Sequence, residues 1–155
     1  MAYATIDDLA LRLGPVRYVQ LTDDEGTGNP NVPRAAEALA AGEAEVDSRL
    51  AARYRTPVDV STEPQAAALL KGLALDLAEY RLHARQPPVP EDIRLKATAA
   101  RQWLADLVAG RAHLPLLQPA PGNTSRGLAA DTSGPSRVFR REEESGSGSG
   151  VSGLG

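Results

Sequence analysis

The sequence predicts an all-α fold, a small bundle of about four to five helices followed by a long extended C-terminal arm. Three observations carry this. Pro64 to Arg85 places Ala66, Leu69, Leu70, Leu73, Leu77 and Tyr80 at the i, i+3, i+4, i+7 spacing of one helix face. The composition is rich in alanine and leucine with 4% aromatic residues, which suits helices and disfavours a β-sandwich. From Pro115 the apolar rhythm gives way to proline, glycine and serine. The chain therefore divides into a helical domain at 1–114 and an extended, low-complexity arm at 115–155.

A first short helix opens at Thr5-Ile6-Asp7-Asp8, with Thr5 as its cap and two carboxylates where the helix dipole favours negative charge. Ile6, Leu9, Leu11 and Leu13 are its apolar residues, and Gly14-Pro15 ends it. Val16 to Leu21 forms one or two further turns.

Thr22 to Pro33 is a polar loop. Read as a twelve-residue calcium loop from Asp23, it puts Glu25, Thr27, Gly28 and Asn31 at the third, fifth, sixth and ninth positions. The twelfth is Arg34, where such a loop needs a bidentate glutamate. No metal ligand set is therefore assigned. A turn that caps the next helix through asparagine and aspartate is the structural expectation.

Pro33 to Tyr54 is the second long helix, with a stripe of Ala35, Leu39, Gly42, Val46, Leu50 and Tyr54. Small residues in its first half let another helix come close. Glu37, Glu43, Glu45, Asp47, Arg49 and Arg53 lie outside the stripe and read as a solvated face of mixed sign. Residues 55–63 are a connection, partly extended.

The helix from Pro64 follows. Leu75 and Leu82 lie off its main stripe, so a second face is buried too, as in a helix inside a bundle or between subunits. Pro64 suits a first turn, and Pro87-Pro88 stops the helix. Gly72 costs roughly 1 kcal/mol against alanine at mid-helix. A close backbone approach and a tolerated defect both account for it. Glu91 and Asp92 start a fourth main helix with Ile93, Ala97, Ala100, Trp103, Leu104 and Leu107 as its stripe and Gly110 at its stop. Candidate contacts within the bundle or between subunits are Leu39, Val46, Leu50 and Tyr54 on one helix, and Leu69, Leu73, Leu77 and Tyr80 on the next.

The arm cannot build a core, yet it holds one dense island, Arg137-Val138-Phe139-Arg140-Arg141, followed by Glu142 to Glu144. Phe139 is the only phenylalanine. An aromatic with flanking arginines suits an anchor in a partner's groove. Fully extended, the forty-odd residues of the arm reach roughly 130 Å.

The net charge of −3 gives no support to tight nucleic-acid binding. There is no cysteine, which fits a reducing compartment. No apolar run approaches the roughly 20 residues of a membrane span. No secretion signal is expected. His83 and His113 follow helix ends, where a cation is favourable. No phosphate loop, nucleophile elbow or His-Glu-x-x-His motif occurs. Asp76 and Glu79 share a helix with Lys71 and Arg81 nearby, so salt bridging outweighs acid–base work. Neither an enzyme nor a cofactor is expected.

Several stretches together resemble a Mu-like phage and prophage family. They are the opening Met-Ala-Tyr-Ala-Thr-Ile-Asp-Asp-Leu, the Val-Gln-Leu-Thr-Asp turn, Val46–Tyr54, Leu75–Leu82, Trp103–Gly110 and the 137–141 island. The resemblance implies a helical head–tail connector, or adaptor, of a tailed phage or phage-like particle. It further implies a virion neck location and a homo-oligomeric ring, often of twelve copies, beneath the portal protein. A tail-side connector or stopper would be the other partner, and genomic DNA would pass through the channel without sequence-specific contact. In that reading the arm docks on the portal or a neighbouring subunit through Arg137, Val138, Phe139, Arg140 and Arg141. A small helical nucleic-acid-binding or regulatory protein is the alternative.

Overall fold

A computed structural model of the chain describes residues 2–114. The expected arm at 115–155, with its island, lies outside the described residues. Five helices follow in order: α1 (Ile6–Leu13), α2 (Pro15–Thr22), α3 (Val32–Leu50), α4 (Pro64–Ala84) and α5 (Glu91–Val108). There is no strand among the described residues, so the all-α expectation holds.

Each helix begins on a recognisable device. Thr5 and Asp8 form a capping box: the Asp8 N–H donates to Thr5 Oγ1 at 3.2 Å, and the Thr5 N–H to Asp8 Oδ2 at 2.9 Å. Asn31 Oδ1 accepts the Arg34 N–H at 3.1 Å and caps α3. Pro15 and Pro64 stand in the first turns of α2 and α4, where no N–H is needed. Glu91 and Asp92 fill the first turn of α5.

The end of α3 differs from the sequence expectation. The helix stops at Leu50, not Tyr54, because its ladder tightens to three-residue steps, with the Arg53 N–H reaching Leu50 O at 2.9 Å. Tyr54 is nonetheless buried. Residues 55–63 form a loop that sends Val58 into the core.

Helix α4 packs against all four others. It buries Leu70, Leu73, Leu77, Leu75 and Leu82, so both of its expected faces are covered. One core cluster joins α3, α4 and α5 through Val46, Leu50, Leu70, Leu77, Leu104 and Leu107. The other seats α1 and α2 on α3 and α4 through Leu9, Leu13, Leu21, Leu39, Ala78 and Leu82.

The two glycines singled out have opposite roles. At Gly42 a Cβ would stand 2.8 Å from Ala74 O and 3.0 Å from Ala78 N, so the α3–α4 crossing needs glycine there. At Gly72 a Cβ would meet nothing within 4 Å, so among the described residues no other backbone approaches it. Leu11, expected with the apolar residues of α1, is 85% exposed. Eight residues of helix carry one core-facing stripe, and Leu9 and Leu13 fill it.

Candidate interaction surface

Of the charges expected on a solvated face, Glu37 is exposed, but Glu43, Glu45, Asp47 and Arg53 are drawn into contacts with other parts of the chain. Glu43 accepts the N–H groups of Tyr3 at 2.7 Å and Ala4 at 3.0 Å. Tyr3 donates its hydroxyl to Asp47 and accepts the Val58 N–H at 2.9 Å. Burial, reinforced by Asp47, pushes the Tyr3 phenol well above its usual range. The N-terminal segment is thus pinned to α3 and to the loop after it. Arg53, also expected in solvent, is buried and donates to Leu107 O at 3.0 Å, capping the end of α5. Long-range pairing decides these positions, and a helix-periodicity argument does not see it.

Glu45 is the centre of the polar architecture. Its carboxylate takes Arg101 at 2.7 Å, Arg81 at 3.0 Å and Arg49 at 3.6 Å. The Arg101 guanidinium also lies 4.9 Å above the Tyr80 ring. The Arg101 hydrogen bond holds the Glu45 carboxyl below the usual carboxylate range, against the opposing effect of burial. Helices α3, α4 and α5 therefore meet at one ionised side chain.

Beside this hub lies an open groove of about 380 Å³, lined by Arg34, Arg81, Arg85 and Arg101 with Tyr80 and Ala41. Arg34 reaches Asp24 at 3.0 Å and Glu37 at 3.6 Å, and Arg85 also pairs with Asp24. A second, more apolar groove of about 310 Å³ runs between α4 and α5 over Leu69, Leu73, Ala99, Ala100 and Trp103. Leu95 on α5 is 58% exposed.

These positions sort the candidate contact residues. Leu39, Val46, Leu50, Tyr54, Leu73 and Leu77 are buried in the two clusters. Leu69 and Tyr80 are partly exposed, and each lines one of the two grooves. Sequence periodicity located the buried set. It missed the arginine groove, because Arg34 and Arg101 join the i, i+4 pair of Arg81 and Arg85 only through the packing of α3 and α5 against the end of α4.

Asp76 and Glu79 of α4 are both held by Arg12 of α1, Glu79 at 3.0 Å. Burial raises the Asp76 carboxyl in spite of Arg12. Lys71 pairs with Asp8 at 2.6 Å and, with the capping N–H of Thr5, brings that carboxyl down to about 2. Burial lowers His83 towards its neutral form, and its Nε2 has no hydrogen-bond partner. The helix-end cation expected of His83 gives way to desolvation. In the 22–33 loop, Asp23 accepts the N–H groups of Thr27 at 3.0 Å and Gly28 at 2.6 Å. The loop is folded around its own carboxylate. Among the described residues, no group of three or more His, Cys, Asp or Glu could hold a metal, and no helix is long and apolar enough to cross a membrane.

A family model described as bacteriophage Mu, Gp36 matches residues 3–130. That span takes in Tyr3, all five helices, both grooves and the Glu45 hub. The chain belongs to the bacteriophage Mu Gp36 family. The protein is accordingly phage-related, in the setting of a virion or a phage-infected cell. Its family match ends before the 137–141 island, so the Gp36 signature rests on the helical body and the beginning of the arm. No curated protein matches the chain.

Proposed function

We propose that this Gp36-family protein is a structural head–tail connector, assembling as a ring beneath the portal and bridging it to the tail around the DNA channel. The match to a phage Mu family over 3–130 carries this reading. Several features support it. The body presents a surface suited to protein contact, the groove of Leu69, Leu73 and Trp103 between α4 and α5. The arm offers an aromatic flanked by arginines, the residue types that dominate interface energies. The partners would be the portal protein, a tail-side connector or stopper, and further copies of this chain. The Arg137–Arg141 island would dock on the portal or a neighbouring subunit.

The reading assigns no catalysis to Asp76 and Glu79, whose carboxylates are tied to Arg12. Nucleic-acid binding finds little support. The larger groove is one pocket of about 380 Å³ in which Asp24, Glu37 and Glu45 stand among the arginines, whereas a nucleic-acid backbone needs an extended run of clustered cations. DNA would pass the ring without being gripped.

The test is binding of the purified protein to its cognate portal ring, full length against a version ending at Leu114. Leu114 is kept because it is buried in the core. Binding by the full chain and its loss on truncation are expected, with Phe139→Ala reproducing the loss. Binding that survives truncation moves the docking site to the body. No binding by a well-folded full-length protein sinks the connector reading.

A further inference from the structure

The geometry points to the arginine-lined groove beside Glu45 as the seat of this chain's own acidic triplet, Glu142–Glu144, in the free protein. This rests on the proposed reading of the arm as a docking segment and adds where the arm sits before a partner takes it.

Charge is the first argument. Four guanidiniums line the groove, from Arg34, Arg81, Arg85 and Arg101, and share three carboxylates, Asp24, Glu37 and Glu45. An excess of one positive charge at this groove stands out in a protein whose net charge is −3. The sharing also leaves donors unused. The Arg81 Nε is buried without a hydrogen-bond partner, while Arg81 and Arg101 divide one carboxylate between them. An incoming carboxylate would supply acceptors to guanidiniums already held in place.

Shape and reach agree. The groove offers about 380 Å³, with Ala38, Ala41 and Ala84 leaving room between the charged heads. The described chain ends at Leu114, anchored in the core, and twenty-seven residues separate it from Glu142. Extended, they span roughly 90 Å, against a radius of gyration of about 13 Å for a body of this size. The tether therefore reaches its own groove, and a tethered segment binds at an effective concentration on the order of millimolar. Arg137, Arg140 and Arg141 would be repelled by the same groove. Seating the triplet thus leaves the Phe139 island outward, presented to a partner.

The chain has no cysteine, so an introduced pair reports a single contact. In the full-length protein, Ala41→Cys with Ser145→Cys places one thiol in the groove and one beside the triplet. Ala99→Cys with Ser145→Cys is the comparison, on the exposed side of α5. The groove pair is expected to form its disulfide about tenfold faster, as a monomer on a non-reducing gel, reflecting local concentration. Glu→Gln at 142, 143 and 144 together should bring its rate down to that of the comparison pair. So should roughly 1 M salt acting on the groove pair with its three glutamates intact, where screening shortens to about 3 Å. Equal rates for the two pairs, or indifference to both the Gln changes and salt, overturns the proposal. Cross-linking between chains overturns it too, and assigns the triplet to a second copy. No portal enters this experiment, so its failure leaves the connector reading standing, and failure to bind the portal leaves this contact standing.

Discussion

At Glu45 three guanidiniums from three helices converge on one carboxylate whose side chain is 16% exposed. Charge-assisted hydrogen bonds in such partly dry surroundings contribute more than surface pairs do. Glu45→Gln should cost about 1–3 kcal/mol at pH 7, read from urea unfolding. Arg49 on α3, Arg81 on α4 and Arg101 on α5 face the carboxyl, and Arg101 foremost, with Arg81, lowers its folded pKa against the opposing effect of burial. The unfolded value is about 4.3. The contribution is therefore complete above that value and is lost as pH falls through the lower folded pKa. The gap between wild type and Glu45→Gln should be constant from pH 7 to about pH 5 and shrink below about pH 4. A gap unchanged at pH 3 would mean that Glu45 acts by packing and not by charge.

The crossing of α3 on α4 turns on a missing side chain. A Cβ at position 42 would press into the backbone of Ala74 and Ala78, which cannot move aside as a flexible side chain could. Gly42→Ala should destabilise by about 1–3 kcal/mol through overpacking, in spite of the roughly 1 kcal/mol that alanine gains in a helix interior. Gly72→Ala gains the same propensity and meets nothing within 4 Å, so it should stabilise the protein by about 0.5–1 kcal/mol. The two variants, compared by thermal and urea unfolding, should move in opposite directions. A neutral Gly42→Ala would show that the helices separate at no cost. If the connector is a ring, Gly72→Ala that stabilises the free chain while weakening assembly would place Gly72 at a contact between copies.

On the scale of the whole molecule, two hydrophobic clusters share the same pair of long helices. Leu9 fills the cluster beneath α1 and α2, and Leu104 the one beneath α5. Because α3 and α4 run through both, the body should unfold as one unit. Leu9→Ala and Leu104→Ala are each expected to cost about 2–5 kcal/mol and to shift the urea midpoint without changing the slope. A two-step transition in Leu9→Ala would show that α1 and α2 open separately. Arg12 on Asp76 and Glu79, and Lys71 on Asp8, tie α1 to α4 and oppose that opening.

Much of this molecule was legible one residue at a time. Thr5 and Asn31 are caps because their side-chain oxygens reach helix N–H groups three residues on, and that geometry is local. The stripes of α4 and α5 are helical because their apolar spacing is. These determined the helices, their order and most of the core. Only the tertiary structure decided the rest, because it depends on residues far apart in the chain. Glu45 and Arg101 are 56 residues apart, and Arg53 and Leu107 are 54 apart. Gly42 and Gly72 look alike in sequence and differ only in what another helix brings against them. The arginine groove belongs to this second kind. Helical periodicity shows which side of a helix faces inward, while packing alone determines which charges from separate helices arrive at the same place.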